Sequence, residues 1–320
     1  MKIIIYKIYI IIWSFLEFTR ISFFFWKILA HFSPPLIICY HRISEDKLVK
    51  QVQLINKFFN LSKLDSLLQS IFGGLKLNKR SLVTITMDDC YRSDFLIAYK
   101  VFNKLKVPCT FFIPTGYSKN NDTLYAKKLI KLFDHIDNYL INEFEETIYF
   151  KNSEEKKKYY HYLVDKYLWN NIQTNLINIE VDKICKFNNY EISNDDIVIS
   201  SEEIKKYSMS SLFNFQSHTV SHPKLFICSK QELMEEFAEA KKYLFEASNN
   251  IQNIICYPYG SSRHISSSFN IAENYYDYGL SLEMGTVNAK KSKMMIPRIG
   301  LYEKDTSASI FAKFLFAQFK

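Results

Sequence analysis

The sequence predicts an α/β fold in which parallel strands alternate with helices. Short apolar segments rich in β-branched residues recur along the chain, and segments with helical spacing lie between them. A length of 320 residues, of which 48% are hydrophobic, also allows a large core. The alternation implies crossover helices between parallel strands, and it leaves two architectures open, a βα-barrel and an open doubly wound sheet.

The predicted strands are expected to be buried, because most of their positions are apolar. Helices are predicted between several of them, at residues 61–75, 95–105 and 231–247. The six predicted strands are residues 36–40, 82–87, 109–113, 212–216, 254–257 and 280–282.

The interval from residue 117 to residue 222 differs from the rest of the chain, because it contains none of the seven glycines and none of the seven prolines. Within it, residues 124–136 and 154–172 show helical spacing. We therefore predict a mostly helical insertion at about residues 119–205, within a barrel domain of residues 34–320. The insertion is either a solvated elaboration or a lid or substrate-binding subdomain.

Residues 1–33 form a separate apolar segment that ends at Pro34 and Pro35. Its longest charge-free run, residues 8–16, is too short to span a bilayer, which needs about 20 residues. Two interpretations stay open, a packed terminal helix and an interfacial helix. The second predicts a membrane surface as a partner of residues 1–32, with lipid contacts from Trp13, Phe23, Phe24 and Trp26.

Charge and cysteine content bear on partners and location. The net charge is +8, but the 41 Lys and Arg residues are spread among 33 acidic ones and no nucleic-acid-binding signature occurs, so we expect no nucleic-acid partner. The six cysteines include no C-x-x-C pair and lie mostly in apolar runs. This pattern favours reduced thiols, and with them the cytoplasmic face of a membrane over a periplasmic or extracellular position.

Two neighbouring acids, Asp88 and Asp89, directly follow the predicted strand that ends at Met87. The C-terminal ends of parallel strands are where βα folds place their active sites. Two carboxylates beside so apolar a strand are costly unless a cation or a basic group compensates them. This position therefore predicts a functional role for the pair.

His218 and His222 follow another predicted strand, and their spacing of four residues lets both imidazoles face one ion. Two imidazoles and one carboxylate leave positions open for water and substrate, as in a catalytic zinc site. The sequence therefore predicts a divalent cation, with zinc favoured.

Three further motifs are each typical of a structural role when taken alone: Tyr-His-Arg at residues 40–42, Tyr-Pro-Tyr-Gly at 257–260 and Pro-Arg-Ile at 297–299. Taken in order, all the motifs resemble those of the NodB-like polysaccharide deacetylases, carbohydrate esterase family 4. The Thr-Phe-Asp-Asp-Gly signature of that family appears as Thr-Met-Asp-Asp-Cys at residues 86–90, and its Ser-His-Thr-x-x-His-Pro signature at 217–223. The resemblance covers about residues 36–302, apart from the insertion.

The resemblance implies a distorted (β/α) barrel that removes N-acetyl groups from a polysaccharide or a lipid-linked sugar with metal-activated water. In this arrangement Asp88 is the general base, while Asp89, His218 and His222 bind the metal. The branch of the family with the Tyr-Pro-Tyr-Gly turn takes its general acid from the histidine after the first strand. That histidine is His41 here.

The same resemblance gives Arg298 the role of orienting Asp88. We also expect a backbone N–H near Tyr257 to stabilise the oxyanion, and the rings of Tyr257 and Tyr259 to stack on sugar rings. One departure is Cys90, which replaces a glycine of the signature. This substitution leaves open a catalytically weakened, glycan-binding homologue. A further alternative is an amide hydrolase of a small acylated amine, which the same centre could serve.

Overall fold

Apolar segments rich in β-branched residues form the strands of one curled parallel sheet. The structure is a computed structural model that describes residues 20–74, 81–248, 253–265 and 268–320. The strands of this sheet are β1 (Leu36–Tyr40), β2 (Asn60–Leu61), β3 (Leu82–Met87), β4 (Cys109–Ile113), β7 (Phe213–Ser217), β8 (Ile254–Cys256), β9 (Tyr278–Leu280) and β10 (Ile299–Gly300). A separate antiparallel hairpin consists of β5 (Tyr139–Ile141) and β6 (Thr147–Tyr149).

The strand order is β10-β1-β3-β4-β7-β8-β9, with β2 beside β3, so neighbours in the sheet follow the order of the chain. A doubly wound sheet would instead reverse its direction at a switch point. The distorted (β/α) barrel is therefore confirmed, and the open doubly wound alternative is wrong.

A short segment joins the two sides of the curled sheet. Leu280 of β9 forms a parallel bridge with Ile296, and three residues later Ile299 of β10 pairs with Ile38 of β1. Arg298 lies between these two pairings and is 1% exposed. The closing segment therefore brings a guanidinium into the barrel interior.

Helices cover the outside of the sheet and bury its apolar face. The helices outside the insertion are α1 (Arg20–Phe32), α2 (Glu45–Phe58), α3 (Leu64–Phe72), α4 (Arg92–Leu105), α5 (Thr115–Asn120), α9 (Ser201–Tyr207), α10 (Lys230–Ser248), α11 (Ser262–Ile265), α12 (Phe269–Ala272) and α13 (Ser307–Ala317). Those of the insertion are α6 (Tyr125–His135), α7 (Ser153–Trp169) and α8 (Thr174–Phe187).

The insertion has a hydrophobic core of its own. Helices α6, α7 and α8 enclose a buried cluster that includes Leu129, Leu163 and Ile177. The hairpin of β5 and β6 contributes Leu140 to this cluster and lies inside an interval predicted to be mostly helical. Helix α9 packs Ile204 into the barrel core and not into the core of the insertion. It therefore belongs to the barrel.

Helix α1 packs one face against the barrel core and leaves the other exposed. Trp26 is 2% exposed and contacts the rings of Phe311 and Phe58, so the prediction that it faces lipid is wrong. Phe24 and Phe32 are exposed at 60% and 71%. Residues 1–19, with the predicted lipid contact of the tryptophan at position 13, lie outside the described residues. Within the described ranges, no helix meets the length and apolarity needed for a membrane crossing.

Candidate active site

The residues predicted to be functional follow different strands of one parallel sheet. Asp88 follows β3, His41 follows β1 and His218 follows β7. Because the C-terminal ends of parallel strands lie at one edge, residues more than a hundred positions apart meet there. The structure therefore brings the predicted carboxylates and histidines together.

Asp89, His218 and His222 form the candidate metal centre. Asp89 Oδ1 lies 3.6 Å from His218 Nε2 and 3.6 Å from His222 Nε2. Bonds of about 2.0–2.2 Å to one tetrahedral zinc would place such ligand atoms about 3.4 Å apart. Among the described residues, Asp89 Oδ1 is a buried oxygen without a hydrogen-bond donor. A buried carboxylate oxygen that faces two imidazoles requires a positive charge, so the three side chains fit a divalent cation.

The protonation of the two histidines also fits a metal. Burial lowers the pKa of His218, and burial lowers the pKa of His222 to about 3, with His218 as a smaller cause. His218 Nδ1 lies 2.7 Å from the carbonyl oxygen of Cys256, which can only accept a hydrogen bond. The proton therefore lies on Nδ1, and the lone pair of Nε2 points towards Asp89. Neutral imidazoles are the form that binds metals.

Asp88 lies beside this centre, in a bidentate ion pair with Arg298. The two guanidinium nitrogens donate to Asp88 Oδ1 at 2.8 Å and Oδ2 at 2.7 Å. Burial alone would raise the pKa of Asp88, but the Arg298 guanidinium outweighs it and holds that pKa well below its usual range. Arg298 also donates to the carbonyl of Ser281 and to Thr86, which fixes its orientation. The carboxylate is therefore charged and held in one position.

His41 has the most solvent-accessible side chain of the group. Its Nε2 lies 3.7 Å from Asp88 Oδ2, and 33% of its side chain is exposed, against 2% for Asp88. Its Nδ1 lies 3.7 Å from the Cys39 thiol. An exposed imidazole that contacts a buried carboxylate can exchange a proton with a substrate.

Left-handed backbone conformations cluster in the loops of the site. Cys90 has φ of 52°, a conformation that glycine adopts freely and cysteine only at a cost. The loop therefore keeps a glycine-like path in spite of the substitution. The other non-glycine residues of these loops with positive φ are Asp89 (65°), Thr219 (66°), His222 (53°) and Tyr259 (60°).

The two tyrosines of the Tyr-Pro-Tyr-Gly turn differ in position. Tyr257 is 1% exposed, and its hydroxyl occupies the space where a Cβ of Gly279 would lie. Its buried ring cannot stack on a sugar, contrary to the prediction, and its N–H already donates to the carbonyl of Leu280 at 3.1 Å. Tyr259 lies beside the centre, with its ring centroid 5.1 Å from that of His222. Its N–H has no acceptor among the described residues.

Sequence reasoning missed two thiols that contact the carboxylate of Asp88. Cys39 Sγ lies 3.4 Å and Cys256 Sγ 3.5 Å from Asp88 Oδ2. Cys39 precedes His41 by two residues, and period-two alternation in a strand places such residues on one face. That spacing is the signal that could have identified Cys39. Burial raises the pKa of both thiols well above the usual value, so they are neutral donors.

The insertion contacts the rim of the site at several points. The hydroxyl of Tyr125 in α6 lies 3.1 Å from the hydroxyl of Tyr259. Lys224, two residues after His222, is fully buried and donates to the carbonyls of Tyr167 and Asn170 at the C-terminal end of α7. Helix C-termini attract such cations. The insertion therefore forms one wall of the site.

Comparisons with known proteins agree with this arrangement. A family profile described as "Polysaccharide deacetylase" matches residues 76–276. No curated protein sequence matches the chain.

Several solved structures have the same fold, among them the following three. The Streptococcus pyogenes deacetylase PplD, solved in complex with acetate, has a TM-score of 0.57 and 16% identity over 88% of this chain and 98% of its own. IcaB from Ammonifex degensii has a TM-score of 0.57 and 16% identity over 88% and 97% of the two chains. The BpsB deacetylase domain from Bordetella bronchiseptica has a TM-score of 0.53 and 11% identity over 83% and 95%. At sequence identities of 11% to 16%, the similarity to these structures shows the fold alone.

Proposed function

The chain belongs to the polysaccharide deacetylase family, and we propose that it removes N-acetyl groups from a glycan with a divalent cation held by Asp89, His218 and His222. The observation that carries the proposal is the buried Asp89 Oδ1, which lies 3.6 Å from the Nε2 atoms of both histidines and has no donor among the described residues. Zinc is the favoured cation, because neutral imidazoles and a carboxylate are ligands that it accepts in catalytic sites. The proposed substrates are an N-acetylated polysaccharide and a lipid-linked sugar.

The side chains around the centre have separate proposed roles. When bound, the cation supplies Lewis acidity and makes its water more acidic. Asp88 accepts the proton of the attacking water. Its pairing with Arg298 makes Asp88 a weak base, so it can deprotonate only a water whose pKa has been lowered. The N–H of Tyr259, two residues after Tyr257, is our candidate donor to the oxyanion, because the N–H of Tyr257 is already bonded to Leu280.

His41 is proposed to protonate the departing sugar amine. We expect His41→Ala to lower kcat by about 10²–10⁴-fold, the usual contribution of a general acid. The metal content should stay at the wild-type level, since His41 contacts Asp88 and not the three proposed ligands. His135→Ala, in the insertion, is the control and should leave both values unchanged. Loss of metal from the His41 variant would mean that His41 is a ligand.

Acetate release tests the proposed reaction directly. The full-length protein should release acetate from N-acetylated glucosamine oligomers, lose this activity with a chelator, and regain it with added Zn²⁺. Oligomer binding without any acetate release would favour the glycan-binding alternative. Turnover of small acylated amines but not of oligomers would favour the amide hydrolase. Activity that survives complete removal of the metal would contradict the proposed mechanism.

A membrane surface is the proposed partner of helix α1. Phe24 and Phe32 are exposed on the face of α1 that points away from the core, and Lys27 and Lys57 lie within 5.0 Å of the ring centroid of Phe23. Exposed aromatics flanked by lysines are typical of helices that bind anionic lipid. The cytoplasmic face stays a prediction from the cysteine content.

Vesicle binding tests this partner. The full chain should co-sediment with vesicles that contain anionic phosphatidylglycerol, and the double variant Phe24→Ser/Phe32→Ser should bind at least about tenfold more weakly, because burial of one phenyl ring contributes about 1.5–3 kcal/mol. Phe144→Ser is the matched control, since Phe144 is 74% exposed on the insertion. Equal binding of all three proteins would exclude this face as the lipid contact.

A further inference from the structure

The loop that carries both proposed metal-binding histidines is held in a strained conformation. This metal loop, residues 217–223, has positive φ at Thr219 and at His222. Such a conformation is unfavourable for a residue with a side chain, so surrounding contacts must select it. The loop therefore needs an external constraint to present both imidazoles on one side.

The first residues of helix α5, which follows β4, support one side of the metal loop. Gly116 N–H donates to the carbonyl of Val220 at 2.9 Å, and Thr115 N–H donates to the carbonyl of Thr219 at 3.0 Å. A Cβ at Gly116 would lie only 2.9 Å from the oxygen of Val220, so glycine permits this close approach. These hydrogen bonds are accepted by carbonyl groups of the metal loop. The N–H groups of the metal loop therefore need a different partner.

A single carboxylate on the opposite side accepts those N–H groups. Glu236 of α10 accepts from the N–H of Val220 at 2.7 Å and from the N–H of Ser221 at 2.9 Å, both at Oε2. Its Oε1 accepts from the Ser221 hydroxyl at 2.6 Å. Hydrogen bonds to a charged acceptor are about twice as strong as neutral ones. Glu236 therefore binds the centre of the loop, between the two histidines.

A hydroxyl within the metal loop also holds His222. Thr219 Oγ1 accepts from the N–H of His222 at 3.2 Å, and Thr219 directly precedes Val220, whose N–H donates to Glu236. Glu236 contacts neither of the two imidazoles nor Asp89 in these hydrogen bonds. Its influence on the metal centre is therefore exerted through the backbone.

We propose that Glu236 is a positioning residue that fixes the metal loop in the conformation in which His218 and His222 both face Asp89. The inference rests on the proposed metal centre and adds a determinant of its affinity. Partners that orient metal ligands typically change metal affinity by about 10–100-fold when they are removed.

The test measures zinc affinity of the full chain by competition with a chromogenic chelator. We expect Glu236→Ala to raise the Kd for Zn²⁺ by about 10–100-fold. Glu236→Gln keeps one carbonyl oxygen for the two backbone N–H groups and should recover part of the lost affinity. Glu235→Gln is the matched control, because Glu235 is exposed and accepts a hydrogen bond from Gln231 within α10. Its Kd should equal that of the wild type.

A second readout separates positioning from general destabilisation. With saturating Zn²⁺, the Glu236→Gln variant should regain wild-type KM and most of its kcat, because the metal then imposes the loop conformation. An unchanged Kd for Zn²⁺ in both Glu236 variants would overturn the inference while leaving the proposed function intact. Should Glu236→Ala fail to fold, the Gln variant alone decides between these results. Failure of the wild type to bind Zn²⁺ would instead contradict the proposed function itself.

Discussion

Replacement of Arg298 by methionine is expected to destabilise the folded protein by about 3–5 kcal/mol, the usual effect of removing one partner from a buried ion pair. Arg298 is the bidentate partner of Asp88, and both side chains are almost fully buried. Without the guanidinium, a charged carboxylate remains in an apolar interior. Urea unfolding of the metal-free wild type and the variant measures this difference.

The pH dependence of the difference identifies its cause. In the wild type the pKa of Asp88 is held below its usual range, so its contribution to stability is present throughout the neutral range and is lost only in strong acid. In the Arg298→Met variant, burial raises that pKa instead. The deficit should therefore be greatest at neutral pH and shrink as the pH falls through the raised pKa, because a protonated Asp88 needs no partner.

The double variant Asp88→Asn/Arg298→Met is the control for this prediction. With both charges removed, stability should recover by at least about 2 kcal/mol relative to Arg298→Met alone, since an uncharged pair avoids the penalty of a buried lone charge. A deficit that is the same in the single and double variants would show that Arg298 stabilises the barrel by packing and not by compensating Asp88.

Replacement of Asp89 by alanine is expected to abolish metal binding and to lower kcat/KM for acetate release by about 10³-fold or more. A bound cation contributes several kcal/mol of transition-state stabilisation, and each 1.4 kcal/mol or so corresponds to a factor of ten. Asp89 supplies the only negative charge of the proposed ligand set. Metal content by atomic emission and steady-state kinetics measure the two effects.

The second Asp-Asp pair of the chain, Asp195 and Asp196, offers a matched control for Asp89→Ala. The side chain of Asp195 is exposed, so Asp195→Ala should keep both metal and activity. The Asp89→Ala variant should also stay folded, because removing a carboxylate that has no donor among the described residues relieves an unfavourable charge. Normal turnover by Asp89→Ala would refute the assignment of Asp89 as a ligand.

The strands of the barrel could be predicted because they are buried and rich in β-branched residues. Residues 36–40, 82–87 and 109–113 were predicted with the bounds that the structure shows for β1, β3 and β4. The two-residue strand β10 was not predicted, because so short a segment carries no periodicity. Helices α2 and α13 were also missed, because neither is followed by a glycine or a proline that would mark its end, as Gly73 and Gly74 mark the end of α3.

The meeting of Asp89 with His218 and His222 could be anticipated from chain positions alone, since each follows a strand of one parallel sheet. The direction in which individual side chains point could not be anticipated from the sequence. Trp26 and Tyr257 were assigned to lipid and to sugar, and both are buried because tertiary packing decides which face of a helix or turn is covered. Glu236 gave no signal, because an acid in an amphipathic helix resembles any solvated residue.

A crystal structure of the zinc-loaded protein, with the ion located by anomalous scattering, tests the central claim most directly. The account predicts one strong peak about 2.0–2.2 Å from Asp89 Oδ1 and from Nε2 of His218 and His222, beside an Asp88 that still pairs with Arg298. A peak at either of the two other groups of potential ligands among the described residues, Cys39–His41–Asp88 or Asp88–His218–Cys256, with none at Asp89, would contradict it.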